Sequence, residues 1–144
     1  MREVAARLTP GLARGEYADV EREARDLVAA LHDQPRFWAA LHAEVPVSAE
    51  TRQEALAAAT RRARGAPLAY AVRRASFRHL VLAVDERVLI SRPETELLVE
   101  LVLALVGTAS GGVAVDVGTG SGAIALALAS EGCFDRVLAT DVSR

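Results

Sequence analysis

"VAVDVGTGSGAIALALA" occupies Val113–Ala129. An apolar run broken by Asp116 meets three alternating glycines, Gly118, Gly120 and Gly122, and an alanine- and leucine-rich run follows. The valines favour a strand before the glycines, and the alanines a helix after them. "RVLATD", at 136–141, reads as a second strand ending at Asp141. Strand, helix and strand in that order predict a parallel βαβ unit with a right-handed crossover. Two parallel strands cannot cover their own faces and edges, so the sequence reads as part of a larger domain cut after its second strand.

The loop admits three classes of ligand. A triphosphate-binding loop ends in Gly-Lys-Ser/Thr, and this chain has no lysine. A dinucleotide loop is spaced G-x-G-x-x-G, whereas Gly118, Gly120 and Gly122 are spaced G-x-G-x-G. Asp116, two residues before Gly118, would repel a pyrophosphate and attract a cation. S-adenosylmethionine has no phosphate; it carries an ammonium, a sulfonium and a ribose with two free hydroxyls. Asp141 stands where an acid can accept both ribose hydroxyl protons. The glycines let backbone pass close beneath the cofactor. The alternative is a tight strand-to-helix turn with no ligand.

Upstream, "SRPETELLVELVLALVG" (91–107) predicts a helix with Pro93 in its first turn, Glu94 and Glu96 at its positive end, and Gly107 as its stop. It is apolar on most faces, which predicts burial on both sides. Arg92 and Glu94 fit the start of this helix as well as they fit a cofactor pocket. "SFRHLVLAVDERVLI" (76–90) reads as two short strands joined near Asp85–Glu86. The first ~65 residues read as helices. Tyr17, Val20, Ala24, Leu27, Val28 and Leu31 recur at helical spacing before Pro35. A short helix carries Phe37, Trp38 and Leu41. A further one starts after the N-cap Ser48 and stops at Gly65, with Pro67 beyond. Phe37 and Trp38 are expected in the core of this bundle.

Of the 144 residues, 51% are hydrophobic and 25% charged, which fits a globular protein. The net charge of −2 gives no global pull toward nucleic acid or membrane. All 17 basic residues are arginines; those at 61, 62, 64, 73, 74 and 78 lie in an acid-free stretch and are expected to form a solvated face. The longest apolar run, Leu97–Val106, is broken at Glu100 and is too short to span a bilayer. Cys133 is the only cysteine, expected as a buried small hydrophobe, and no signal-peptide pattern follows Met1, so the cytoplasm is the expected setting. His32, His42 and His79 have no metal-ligand spacing, and no metal is expected.

"PLAY" (67–70), "VLISRPETELLVE" (88–100), "DVGTGSGAIALALA" (116–129) and "ATDVS" (139–143) occur in this order. Together they resemble the N5-glutamine methyltransferases of peptide chain release factors. The resemblance implies an α/β chain with a helical substrate-recognition domain at 1–70 and a β-hairpin connector at 71–92. Residues 93–144 are then the start of a Rossmann-like class I methyltransferase domain. It implies S-adenosylmethionine as cofactor, with Gly118, Thr119, Gly120, Ser121 and Gly122 lining it and Asp141 on the ribose; Asp116 joins the expected cofactor-binding set through its charge beside the loop. The partner it implies is a release factor whose Gly-Gly-Gln glutamine is methylated, with no direct nucleic-acid or membrane partner.

The family's amide-gripping "NPPY" motif is absent from this sequence. No catalytic residue is therefore expected within the chain, and the chain alone is expected to be inactive. His79 stands where the family commonly has glycine. Other readings are a class I methyltransferase acting on nucleic acid or a small molecule, a non-catalytic helical binding module, and an NAD-dependent oxidoreductase. Loop spacing and Asp116 disfavour the last.

Overall fold

The computed structural model describes residues 1–9, 17–107 and 111–143, with the backbone alone at 17–19. The chain forms two compact units, Met1–Arg74 and Ala75 onward.

The first unit is helical: α1 (Arg2–Leu8), α2 (Tyr17–Leu31), α3 (Trp38–Leu41), α4 (Ala49–Ala63) and α5 (Leu68–Val72). Val20, Ala24, Leu27 and Leu31 of α2 enter one core with Val4 and Leu8 of α1, and with Ala55, Ala58 and Ala59 of α4. The side chain of Tyr17 lies outside the described residues. The three alanines share one face of α4 at spacings of three and four, so the α1 and α2 backbones approach closely there. Ser48 caps α4, its Oγ accepting from Thr51 N–H at 3.0 Å. The helix ends before Gly65, whose φ of +95° suits glycine.

Two expectations about this unit are corrected. Phe37 is 67% exposed, not in the core. The one-turn α3 buries Ala39, and Trp38 lies between the rings of His32 and His42 at 4.9 and 4.6 Å. Residues 37 and 38 are neighbours and leave the chain in different directions, so a single turn cannot bury both. The arginines are also less solvated than expected. Arg62 makes two bonds to Glu23 (2.9 and 3.1 Å), Arg61 Nε donates to Ala71 O (2.8 Å), and Arg74 Nη1 donates to Leu31 O (2.8 Å). They hold carbonyls and a carboxylate within the unit.

The second unit opens with a hairpin of β1 (Arg74–Phe77), whose first residue closes the helical unit, and β2 (Leu80–Ala83); it turns at Arg78–His79, not near Asp85–Glu86. A two-residue connection requires antiparallel strands. Such turns favour residues at positive φ, and Arg78 takes φ +54°. Its backbone N–H donates to Glu96 Oε1 at 3.0 Å, and its guanidinium makes paired bonds to Glu131 at 2.7 and 2.6 Å. These charge-assisted bonds offset the left-handed strain of a non-glycine residue. Asp85 instead accepts from Arg87 N–H at 3.0 Å in a local turn after β2, and 88–92 form no strand.

Helix α6 (Pro93–Val106) has Pro93 in its first turn and stops at Gly107. Its expected two-sided burial is not found. Val99 is fully buried, whereas Leu97, Leu98, Leu101 and Leu105 are exposed, Leu105 to 87%. Its main neighbour within the unit is α7, which covers one side only.

β3 (Val113–Val117), α7 (Ala123–Glu131) and β4 (Arg136–Thr140) follow. β3 and β4 pair in parallel, from Val113 opposite Arg136 to Val117 opposite Thr140. Asp135 closes the start of the pair, its Oδ2 accepting from Gly112 N–H at 2.9 Å. At Gly132 a Cβ would lie 2.5 Å from the Phe134 ring and 2.8 Å from Leu128 O, so the turn after α7 requires glycine. Cys133, just beyond, is exposed rather than buried, because the turn carries it off the helix.

Candidate functional site

The glycine loop joins the C-terminal end of β3 to α7. On β3 the valines at 113, 115 and 117 are exposed, while Asp116 lies on the α7 side at 9% exposure. Alternation thus places the one carboxylate of the strand inside and the valines outside. Asp116 Oδ2 accepts from Thr119 Oγ1–H at 2.7 Å and from Ala125 N–H at 3.2 Å. The carboxylate therefore sits beneath the loop, tied to it and to the first turn of α7.

The loop turns through left-handed glycines, with φ +79° at Gly118, +53° at Gly120 and +78° at Gly122. Gly118 N–H and Thr119 N–H both donate to Thr140 O, at 2.8 and 3.0 Å. Gly120 N–H donates to Asp141 Oδ2 at 2.9 Å, and Gly122 N–H to Thr119 O at 2.9 Å. Four loop amides are thus directed to protein oxygens. Phosphate loops work by aiming such amides outward at an anion. A Cβ built at Gly118 or Gly120 meets no protein atom within 4 Å, so the outer side of the loop is open.

Asp141 follows the end of β4 and is exposed. Its Oδ1 accepts from Ser143 N–H at 2.8 Å. The N–H groups of Ser143 and Gly120 hold its carboxyl below the usual range, so it is ionised at neutral pH. A carboxylate offers about four lone-pair positions, so the backbone donors of Ser143, Gly120 and Val142 still leave acceptor capacity.

The structure therefore gathers Asp116, Gly118, Thr119, Gly120, Gly122 and Asp141 into one bonded loop; Ser121 lies within it, half-buried. Sequence reasoning missed Thr140, whose carbonyl anchors two loop amides; a main-chain acceptor leaves no mark on residue type. Arg92 is the N-cap of α6 and Glu94 lies in its first turn. Among the described residues, no cluster of His, Cys, Asp or Glu could hold a metal ion, and no helix is long and apolar enough to cross a membrane.

A helical unit followed by a parallel strand–glycine loop–helix–strand unit defines a mixed α/β protein. Residues 3–72 match the PrmC N-terminal domain family. The release factor glutamine methyltransferase of Xylella fastidiosa (strain 9a5c) is 41% identical over 138 residues, covering 96% of this chain and 49% of that protein. Its counterpart in strain Temecula1 / ATCC 700964 is 42% identical over 125 residues, covering 86% and 46% respectively. The chain belongs to the release factor glutamine methyltransferase family, and it spans about half the length of the curated relatives it matches.

Proposed function

We propose that this protein methylates the side-chain amide of the glutamine in the Gly-Gly-Gln motif of peptide chain release factors, with S-adenosylmethionine as methyl donor. In this reading residues 1–70 recognise the substrate protein, 71–92 connect, and 93–144 begin a Rossmann-like donor-binding domain. The names of the relatives support the release factor over a nucleic-acid or small-molecule substrate. The observation that carries the donor assignment is the set of inward-directed amides of Gly118, Thr119, Gly120 and Gly122. A loop with four of its amides, those of Gly118, Thr119, Gly120 and Gly122, occupied by protein oxygens, and with an ionised Asp141 at its rim, disfavours a phosphate and favours a cationic ligand with a free diol.

When bound, S-adenosylmethionine supplies an electrophilic methyl group. Asp141 would accept the ribose hydroxyls, and Gly118 and Gly120 would let the ligand lie close to the backbone. An amide nitrogen is a weak nucleophile, so its orientation and the acceptance of its protons are positioning and electrostatic work. We assign none of that work to residues of this chain.

Two experiments test the reading. Calorimetric titration should give S-adenosylmethionine binding at least about tenfold tighter than NAD or ATP. The reverse order would reject the donor assignment. A chimaera carrying residues 1–143 in place of the matching segment of the Xylella fastidiosa relative should methylate a release factor. A folded chimaera without that activity would reject the substrate assignment.

A further inference from the structure

We infer that Asp116 is a positioning residue: it sets the path of the glycine loop through Thr119 and Ala125, rather than meeting the ligand as a counter-charge. The inference rests on the reading of this loop as a methyl-donor site. It also corrects the simplest expectation for an acid beside such a loop, which is direct attraction of a cation.

The geometry points to Thr119 as the pivot. Its backbone N–H is held by Thr140 O at 3.0 Å, at the end of β4. Its hydroxyl is held by Asp116 Oδ2 at 2.7 Å, on β3. Its carbonyl accepts from Gly122 N–H at 2.9 Å, at the start of α7. One residue is thus tied to both strands and to the helix that follows. Asp116 supplies the tie that crosses beneath the loop, and the same oxygen takes Ala125 N–H in the first turn of α7. That N–H belongs to the positive end of a nine-residue helix, so the buried carboxylate occupies a place an anionic ligand would otherwise seek. The bonds to Thr119 and Ala125 both fall on Oδ2, which faces inward, and at 9% exposure Asp116 presents little surface to a ligand. Its effect is to fix the loop before the ligand arrives, which is how binding sites avoid ordering losses on association.

The test separates position from charge. Asp116→Asn keeps an oxygen that can accept both bonds but removes the charge; Asp116→Ala removes both. Amide hydrogen exchange at Gly118 and Thr119 in the full chain reads the loop without any ligand. Asp116→Asn should leave those rates within about threefold of the parent, and Asp116→Ala should raise them at least about tenfold. Thr119→Val keeps Asp116 and removes the hydroxyl; it should raise the same rates and serves if Asp116→Ala does not fold.

Affinity is the second readout. Asp116→Asn should change the affinities for S-adenosylmethionine and S-adenosylhomocysteine by the same factor, and Asp116→Ala should weaken both alike and further. A selective loss of S-adenosylmethionine over the uncharged-sulfur product in Asp116→Asn would overturn the proposal. So would unchanged exchange in Thr119→Val. If the parent binds neither compound, the donor-site reading fails, and the exchange rates still decide the positioning role.

Discussion

The two units combine apolar burial and hydrogen bonding in different ways. The helical unit closes around side chains, with Leu27, Ala58 and Ala59 all fully buried at its centre. The glycine-loop unit also buries Phe77, Val99 and Ala127, but its loop is set by hydrogen bonds at the strand ends, from Asp116, Asp141 and the Thr140 carbonyl, while Val115, Val117, Leu101 and Leu105 remain exposed. Bonds with fixed donors and acceptors can define a loop to within the width of a ligand contact. Apolar burial is less directional and stabilises in proportion to the area removed from water.

The largest effect should follow from striking the helical unit at its centre. Leu27→Ala should lower stability by about 2–5 kcal/mol, measured by urea denaturation. A loss below about 1 kcal/mol would mean the core can collapse into the gap, and the contrast between the units would weaken.

Asp141→Ala strikes the other unit at a bond rather than at a volume. It should weaken S-adenosylmethionine binding roughly tenfold to a hundredfold, the range expected for a charge-assisted partner. Calorimetry that finds the affinity unchanged would remove Asp141 from the ribose.

Ser48→Ala tests whether a directional bond matters in the helical unit too. It removes the acceptor for Thr51 N–H and should cost about 1 kcal/mol, read from the same denaturation curves. No loss would show that water replaces the cap.

The smallest effect should be the response to acid. Asp141 is held below its ordinary pKa by backbone amides, and Glu131 by the Arg78 guanidinium. A lowered folded pKa contributes stability that is present above the unfolded value, 3.8 for Asp141 and 4.5 for Glu131, and is lost as pH falls through the folded one. Glu131→Gln and Asp141→Asn should each flatten that acid limb. Added salt should mimic Glu131→Gln more closely than Asp141→Asn, because it screens the ion pair. An acid limb unchanged in both variants would exclude these groups as its source.

What the sequence revealed tracks the same division. Ser48, Gly65, Pro93 and Gly107 act locally, and the helices they bound are found where their residue types place them. The amphipathic spacing of α2 found Val20, Ala24, Leu27 and Leu31 in the core. The hairpin turn was not legible, because Arg78 is held at positive φ by Glu131, 53 residues away. The all-round apolarity of α6 was legible, but the side that lies bare in this unit was not. At the loop, the glycine spacing gave the turn; the inward aim of Asp116 depends on Thr119 and Ala125 and emerged only from three-dimensional placement.

Arg78 also constrains how such a sequence can drift. Glycine there would relax the left-handed backbone but strip the Glu131 carboxylate, half-buried beside it, of its guanidinium. Changing Glu131 first would leave an arginine held in an awkward conformation by Glu96 alone. Each single step removes the same pair of bonds, so substitutions at 78 and 131 should be non-additive in a double-mutant cycle. A pairing of that kind links residues far apart along the gene through a turn that neither residue type announces.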